Sequence, residues 1–207
     1  MIYYATKLAY DRLHIKPSES LHYAADHIYP QLDYINSLKQ SESWSDIYEW
    51  YVELFYLNKK KFLRVVHLSS KLTLFFDNID EAFMHGLGFR IRKELYTLFN
   101  DDTEMPELLD SFYTTSPLSF YSRITDKKRL ADYRMKNSAI NSYHPLFLKL
   151  SQNSNYDTTE LNKSINNEIN LNFNSQQSTT YNIFISQLRH LYGKSSKIVQ
   201  HTTEVSE

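Results

Sequence analysis

Residues 49–78, EWYVELFYLNKKKFLRVVHLSSKLTLFFDN, constrain this chain more than any other stretch. From Trp50 to Leu57 aromatic, β-branched and leucine residues run almost without a break, the composition of a strand covered on both faces. Asn58-Lys59-Lys60-Lys61 is polar and short enough only for a turn, so the chain reverses there. In the next segment Phe62, Val66 and Leu68 share one face with Arg64, while Leu63, Val65 and His67 share the other. Ser69-Ser70-Lys71 forms a second polar break before Leu72-Thr73-Leu74-Phe75-Phe76. Three antiparallel strands in a meander are expected, and so small a sheet needs helices against it to be stable. Ile2-Tyr3-Tyr4-Ala5 is β-prone and would add a fourth strand.

Helical periodicities flank this sheet. Thr6 to Leu13 reads as a short helix ended by Lys16-Pro17-Ser18, and Leu21, Ala24, Ala25 and Ile28 recur at helical spacing beyond it. Pro30 suits the first turn of another helix carrying Leu32, Ile35 and Leu38. The clearest helix follows the meander: Ile79, Phe83, Leu87, Ile91, Leu95 and Leu98 fall on one stripe, with Asp80, Glu81, Arg92 and Lys93 off it. Asn78 and Glu81 stand in capping-box positions at its start. Asn100 to Thr103 stops it, and Pro106 opens a short helix through Phe112. Thr114 to Pro117 is a loop, Thr125 to Asn141 a less apolar helix, and Pro145 to Leu150 a further apolar segment. Residues 151–182 are dense in Asn, Ser, Thr and Gln, a composition typical of disorder. Yet Leu161, Ile165, Ile169 and Phe173 recur every four residues, and Tyr181, Phe184, Leu188 and Leu191 form a second stripe ending at Gly193. The expectation is a C-terminal helical pair joined through an Asn-Ser-Gln-Gln linker.

The fold class expected is therefore α+β: a small antiparallel meander sheet of three to four strands packed against several helices, with a helical C-terminal half. Residues 1–193 form one domain, with the sheet in residues 1–100 and the helical part in residues 104–193, and residues 194–207 form a disordered tail. A chain of 207 residues can bury about 70% of the surface it exposes unfolded.

Composition excludes several functions. The absence of cysteine rules out disulfides, zinc–thiolate sites and cysteine nucleophiles. With 3 glycines and no G-x-x-x-x-G-K or G-x-G-x-x-G, phosphate-loop and dinucleotide chemistry are out, and no cofactor is expected. A net charge of −1 supplies neither a broad basic field nor an acidic surplus. No apolar run approaches the roughly 20 residues of a membrane helix, and the N-terminus lacks a signal-peptide apolar region. A cytoplasmic protein without a membrane association is expected. The 17 tyrosines, with abundant Asn, Lys and Ile, are the mark of an AT-rich coding sequence, hence of a low-GC bacterium, its phages or its plasmids. A tyrosine-rich recognition surface is the other account of the same residues.

Thr6-Lys7-Leu8 with Leu13, then Trp50-Tyr51, Leu54, Tyr56-Leu57, the basic turn Lys59 to Lys61 and the segment Ser69 to Phe76 resemble an uncharacterised bacterial family associated with plasmids and prophages. The resemblance covers roughly the first half of the chain and implies the strand–helix–strand–turn–strand order read above. The family's Arg-x-x-x-Gly-x-Met segment is matched most closely by Arg129 to Met135, with Tyr133 in the glycine's place. No mechanism comes with the resemblance.

Two groups of residues are candidate sites. His67, Ser69, Ser70 and Lys71 offer a base, hydroxyls and a cation at one end of the sheet, the elements of an RNase-like or acyl-transfer site. The plainer account is a histidine on a solvated or partly covered hairpin face followed by turn residues, since neither an acidic partner nor a glycine-rich anion loop accompanies them. Arg123, Lys127, Lys128, Arg129, Arg134 and Lys136 stand against Asp126 and Asp132, a local charge of +4 interleaved by Tyr121 and Tyr133. Such a segment contacts phosphates or an acidic partner, or is a solvated helix face. His22 and His27 are five apart, the wrong spacing for two ligands on one helical face, and His14 does not repair it; no metal site is expected. Asp77, Asp80, Glu81, Asp101 and Asp102 bracket the best helix, where capping and solvation explain them.

Three functions follow in order: a non-catalytic interaction or regulatory protein, an accessory of a mobile-element, phage-defence or toxin–antitoxin system that binds a protein partner; a small toxin-like nuclease or other hydrolase using His67 and its neighbours; and a nucleic-acid binder using residues 123–136. Oligomeric state is not legible.

Overall fold

The computed structural model describes residues 1–14, 46–57, 59–115, 120–123, 157–168, 170–173 and 176–193. In chain order the elements are β1 (Ile2–Ala5), α1 (Lys7–Arg12), a 3-10 turn (Asp46–Tyr48), β2 (Glu49–Leu57), β3 (Lys60–His67), β4 (Thr73–Phe76), α2 (Glu81–His85), α3 (Leu87–Leu98), α4 (Met105–Thr115), β5 (Phe120–Arg123), α5 (Thr158–Glu168), β6 (Asn170–Phe173), β7 (Gln176–Thr179) and α6 (Thr180–Tyr192).

The fold is α+β, and the meander is present: β2 pairs antiparallel with β3 and β3 with β4, with Trp50 opposite His67 and Leu63 opposite Phe76. The β2–β3 reversal places Lys59 at φ 65, in the left-handed region. The sheet is larger than a three- to four-stranded antiparallel meander, however. Five strands lie in the order β4-β3-β2-β1-β5, and β1 runs parallel to both β2 and β5. A parallel neighbour requires a crossover rather than a hairpin, and the sheet is therefore mixed. Thr6 makes the exit from β1 abrupt: its N–H extends the ladder to the Val52 carbonyl at 3.0 Å, and its hydroxyl caps α1 by accepting from the Ala9 N–H at 3.3 Å.

Alternation along the strands gives the sheet two buried faces. Tyr3, Ala5, Trp50, Val52, Leu54, Leu63, Val65, Leu74 and Phe76 share one core with residues of α1 to α4 and α6, including Leu87, Ile91, Leu95, Leu109, Phe112 and Phe184. Ile2, Tyr4, Tyr51, Phe62, Val66 and Phe75 are buried on the opposite face. There the cross-strand pair Glu53–Arg64 forms an ion pair, and Phe55 stacks on Phe62.

The expected helix from Ile79 to Leu98 exists as two pieces. All six stripe residues are buried, yet the chain breaks at Gly86. The cap is Asp80, whose carboxylate accepts from the Phe83 N–H at 2.6 Å; Asn78 sits at φ 52 in the preceding turn. Asp102 accepts from the N–H groups of Glu104 and Met105 at 3.0 and 3.3 Å, which starts α4.

The C-terminal stretch is not a plain helical pair. After α5 ends at Glu168 the chain makes a two-stranded antiparallel hairpin, with Asn170 opposite Thr179, before Thr179 caps α6. Phe173 thus lies in β6, beyond the helix that the four-residue spacing extends, and Ile169 lies outside the described residues. Leu191 is exposed, whereas Ile183 and Ile185 join Phe184 and Leu188 in the core. The predicted helices between residues 18 and 38 and over 125–141, the apolar segment 145–150 and the tail 194–207 lie outside the described residues.

Candidate functional site

His67 is the last residue of β3, and the turn behind it is tightly wired. The His67 N–H donates to the Leu72 carbonyl at 2.8 Å, its carbonyl accepts from the Lys71 N–H at 2.9 Å, and Lys71 takes φ 64 to close the loop. Position 67 points into the main core, where the imidazole lies 4.8 Å from the Trp50 ring and 5.0 Å, edge-on, from Phe184. A ring buried among aromatics must satisfy both nitrogens. Nε2 is 2.6 Å from the Ile47 carbonyl, which can only accept, so Nε2 carries the proton. Nδ1 then accepts the Ser70 hydroxyl at 2.7 Å and is approached by the Ser70 N–H at 3.4 Å; Ser70 Oγ in turn accepts from the Leu72 N–H at 3.2 Å. Burial pushes the His67 pKa down to about 3, the nearby Lys71 charge adds to the depression, and the Ile47 carbonyl opposes it.

The structure therefore brings His67 and Ser70 together, both fully buried, and sends their neighbours elsewhere. The Ser69 hydroxyl donates to Gln187 at 2.9 Å, and the Lys71 ammonium to the Leu68 carbonyl. A neutral imidazole with both nitrogens engaged and no access to water has no lone pair to offer a substrate. What the arrangement does chemically is tie the 3-10 turn, the end of β3 and the following turn into one node.

Of the basic segment, Arg123 ends β5 opposite Ala5 of β1; Lys127, Lys128, Arg129, Tyr133, Arg134 and Lys136 lie outside the described residues, as do His22 and His27. The acidic residues beside the stripe have structural work: Asp80 and Asp102 cap helices, Asp101 pairs with Lys163 at 3.0 Å, and Asp102 with Arg189 at 3.7 Å. No group of three or more His, Cys, Asp or Glu is placed to hold a metal among the described residues.

The surface that stands out is the outward side of α3. Its inward stripe is fixed by Leu87, Ile91, Leu95 and Leu98, which leaves Phe89 facing solvent with 73% of its surface exposed, against 40 to 49% for the other exposed large apolar residues described. Phe89, Arg92, Lys93, Tyr96, Thr97 and Asn100 line a shallow open groove. Its floor is pre-arranged: Arg92 lies over the rings of Tyr113 and Tyr96 at 5.1 and 5.5 Å and pairs with Asp110 at 3.1 Å, while the Tyr96 hydroxyl donates to the same carboxylate. Burial and the Asp110 bond push the Tyr96 pKa up. Arg90 stacks over Phe83 at 4.3 Å on the flank. The acid of this helix, Glu94, turns away and is engaged by Asn162 and Thr159 of α5, so the outward face is cationic around one exposed ring. The sequence signal for this surface was a phenylalanine off the apolar stripe.

A mixed α+β sheet with a histidine-pinned meander and this helical cover defines the class of domain. The chain belongs to the family described as a domain of unknown function, DUF6933, which it matches over residues 2–183. The match extends the first-half resemblance across most of the chain. A comparison with curated proteins finds no match.

Proposed function

We propose that the protein is a non-catalytic binding module that docks an acidic partner protein through the outward face of α3. The observation supporting this reading is Phe89, a large apolar side chain held in solvent beside the Arg92–Tyr96–Tyr113 stack. Aromatic and arginine side chains are the usual anchors of protein interfaces, and ordering them before binding lowers the entropic cost of association. Arg90, Arg92 and Lys93 around the ring favour a partner that presents carboxylates about an apolar side chain. The module's role is accessory or regulatory, in a mobile-element, phage-defence or toxin–antitoxin setting in the bacterial cytoplasm; composition and the family resemblance support that setting.

The test is a pull-down from the native host with three baits: the unsubstituted chain, Phe89→Ser, and Arg129→Glu/Arg134→Glu. A stoichiometric acidic protein retained by the first and third baits and lost with Phe89→Ser is the expected result. Recovery of nucleic acid that moderate salt releases, lost only with the third bait, overturns this reading in favour of nucleic-acid binding.

A further inference from the structure

β4 is one edge strand of the sheet, and its sequence, Thr73-Leu74-Phe75-Phe76, carries no charge and no proline. Short, uncharged, aromatic edges of this kind invite another strand to pair with them. Pleating aims the backbone groups of Leu74 and Phe76 at β3 and those of Thr73 and Phe75 away from the sheet. Those outward groups are already taken. Asn166 Oδ1 accepts from the Thr73 N–H at 2.9 Å and Asn166 Nδ2 donates to the Thr73 carbonyl at 2.7 Å. Two residues along, Asn162 Oδ1 accepts from the Phe75 N–H at 2.7 Å and Asn162 Nδ2 donates to the Phe75 carbonyl at 3.2 Å.

The spacing explains why a helix can do this. Four residues of α-helix rise about 6 Å, and two residues of strand advance about 6.6 Å, so side chains four residues apart on α5 meet strand positions two residues apart on β4, in the opposite chain direction. A primary amide presents the same donor and acceptor as a peptide group, and the two asparagines therefore stand in for a sixth strand. Both are fully buried and braced. The second Nδ2 hydrogen of Asn162 goes to Glu94 at 2.8 Å and that of Asn166 to the Asn162 carbonyl at 2.7 Å, while Thr180 donates to Asn166 Oδ1 at 2.9 Å.

We infer that α5 is a latch that closes the β4 edge to a second copy of this chain. The occupant excluded is the chain's own β4, because an antiparallel β4–β4 pairing about a two-fold axis joins identical uncharged segments without any charge opposition.

The experiment pairs amide exchange with mass measurement. In the unsubstituted chain the Thr73 and Phe75 amides are expected to exchange within about tenfold of Leu74, which bonds within the sheet; exchange at the rate of an open edge overturns the latch. In Asn162→Ala/Asn166→Ala, exchange at Thr73 and Phe75 rises at least a hundredfold with Leu74 unchanged, and the mass by light scattering doubles relative to the unsubstituted chain at tens of micromolar. A double variant that opens both amides and keeps the original mass overturns the exclusion of a second copy. Should the double variant be unfolded by circular dichroism, Asn162→Ala alone decides: selective opening of Phe75 with partial doubling supports the latch, and unchanged exchange and mass overturn it.

Discussion

At the scale of single residues, His67 makes the sharpest quantitative prediction. Its folded pKa of about 3 lies below the ordinary value of 6.5. Between those values the unfolded chain binds a proton that the folded chain refuses, so stability rises with pH through this window and is lost as pH falls. The contribution is fully present above about pH 6.5 and declines by up to about 1.4 kcal/mol per unit below it. In His67→Phe the ring still packs against Trp50 and Phe184, but the Ile47 carbonyl and Ser70 hydroxyl lose their partner, at a cost of roughly 2–4 kcal/mol at pH 7.5. That gap should be about 2 kcal/mol narrower at pH 5, where only the histidine protein suffers from acid. Urea unfolding of both proteins at the two values checks it, and a gap of constant width would show that His67 binds its proton as readily in the folded state as in the unfolded one. The chemistry of this residue was half legible: a histidine, two serines and a lysine in five residues announce a cluster, and the alternation of β3 already put His67 with Leu63 and Val65. That His67 is wholly buried there, with the Ile47 carbonyl 20 residues upstream as partner, is a long-range fact that local pattern does not carry. Asn162 and Asn166 were hidden for the opposite reason. Amides at helical spacing in an Asn- and Ser-rich stretch look like a solvated face, and only the distant edge strand reveals what they bond.

Two glycines separate the behaviour of elements. Gly86 breaks the long stripe into α2 and α3 at φ −102, a conformation open to any residue, and a β-carbon there would sit 3.7 Å from Arg90 Nε and 3.9 Å from the Phe83 carbonyl. Gly86→Ala should therefore stabilise the protein by roughly 0.4–1 kcal/mol, chiefly by restricting the unfolded chain. At Gly193 an added β-carbon would come to 2.6 Å from the Arg189 carbonyl oxygen, so Gly193→Ala should destabilise by about 1 kcal/mol or more and fray the end of α6. Thermal unfolding of the two variants under one buffer tests the contrast; equal shifts would mean that neither position is set by the geometry described. Asp80→Ala should cost about 1 kcal/mol through loss of the cap on α2. Among the elements, the meander was readable because turn residues punctuate a continuous β-prone run, and the stripe from Ile79 to Leu98 because six apolar residues keep one period. β5 was missed because Phe120-Tyr121-Ser122-Arg123 is too short to show alternation, and the parallel sense of β1 because direction in a sheet is decided by the connection and not by the strand.

At the scale of the whole molecule, the core of the described residues closes around α6. The family match stops at residue 183, one residue before Phe184, whose ring contacts Trp50, His67, Phe99 and Phe112 at centroid separations of 5.0 to 6.5 Å. Ile185 and Leu188 follow it into the same core, and the Tyr192 hydroxyl meets that of Tyr48 at 2.5 Å. Burying each large apolar side chain is worth about 1.5–3 kcal/mol, and stripping three from the centre also leaves a cavity that the aromatics around it cannot fill. The combined loss approaches the roughly 5–15 kcal/mol by which a domain is stable at all. A chain ending at residue 183 should therefore lose its cooperative unfolding transition, while one ending at residue 193 keeps a midpoint in urea close to that of the full chain. Near-ultraviolet circular dichroism gives an independent reading, since Trp50 lies against Phe184 and reports whether the core has closed. If the shorter chain folded cooperatively with native near-ultraviolet bands, α6 would be an attachment and the node at His67 would have to be complete without it. The contacts run the other way: the sheet, the histidine node and the helical cover meet at Phe184, and the core that positions every surface described here is finished only when that residue arrives.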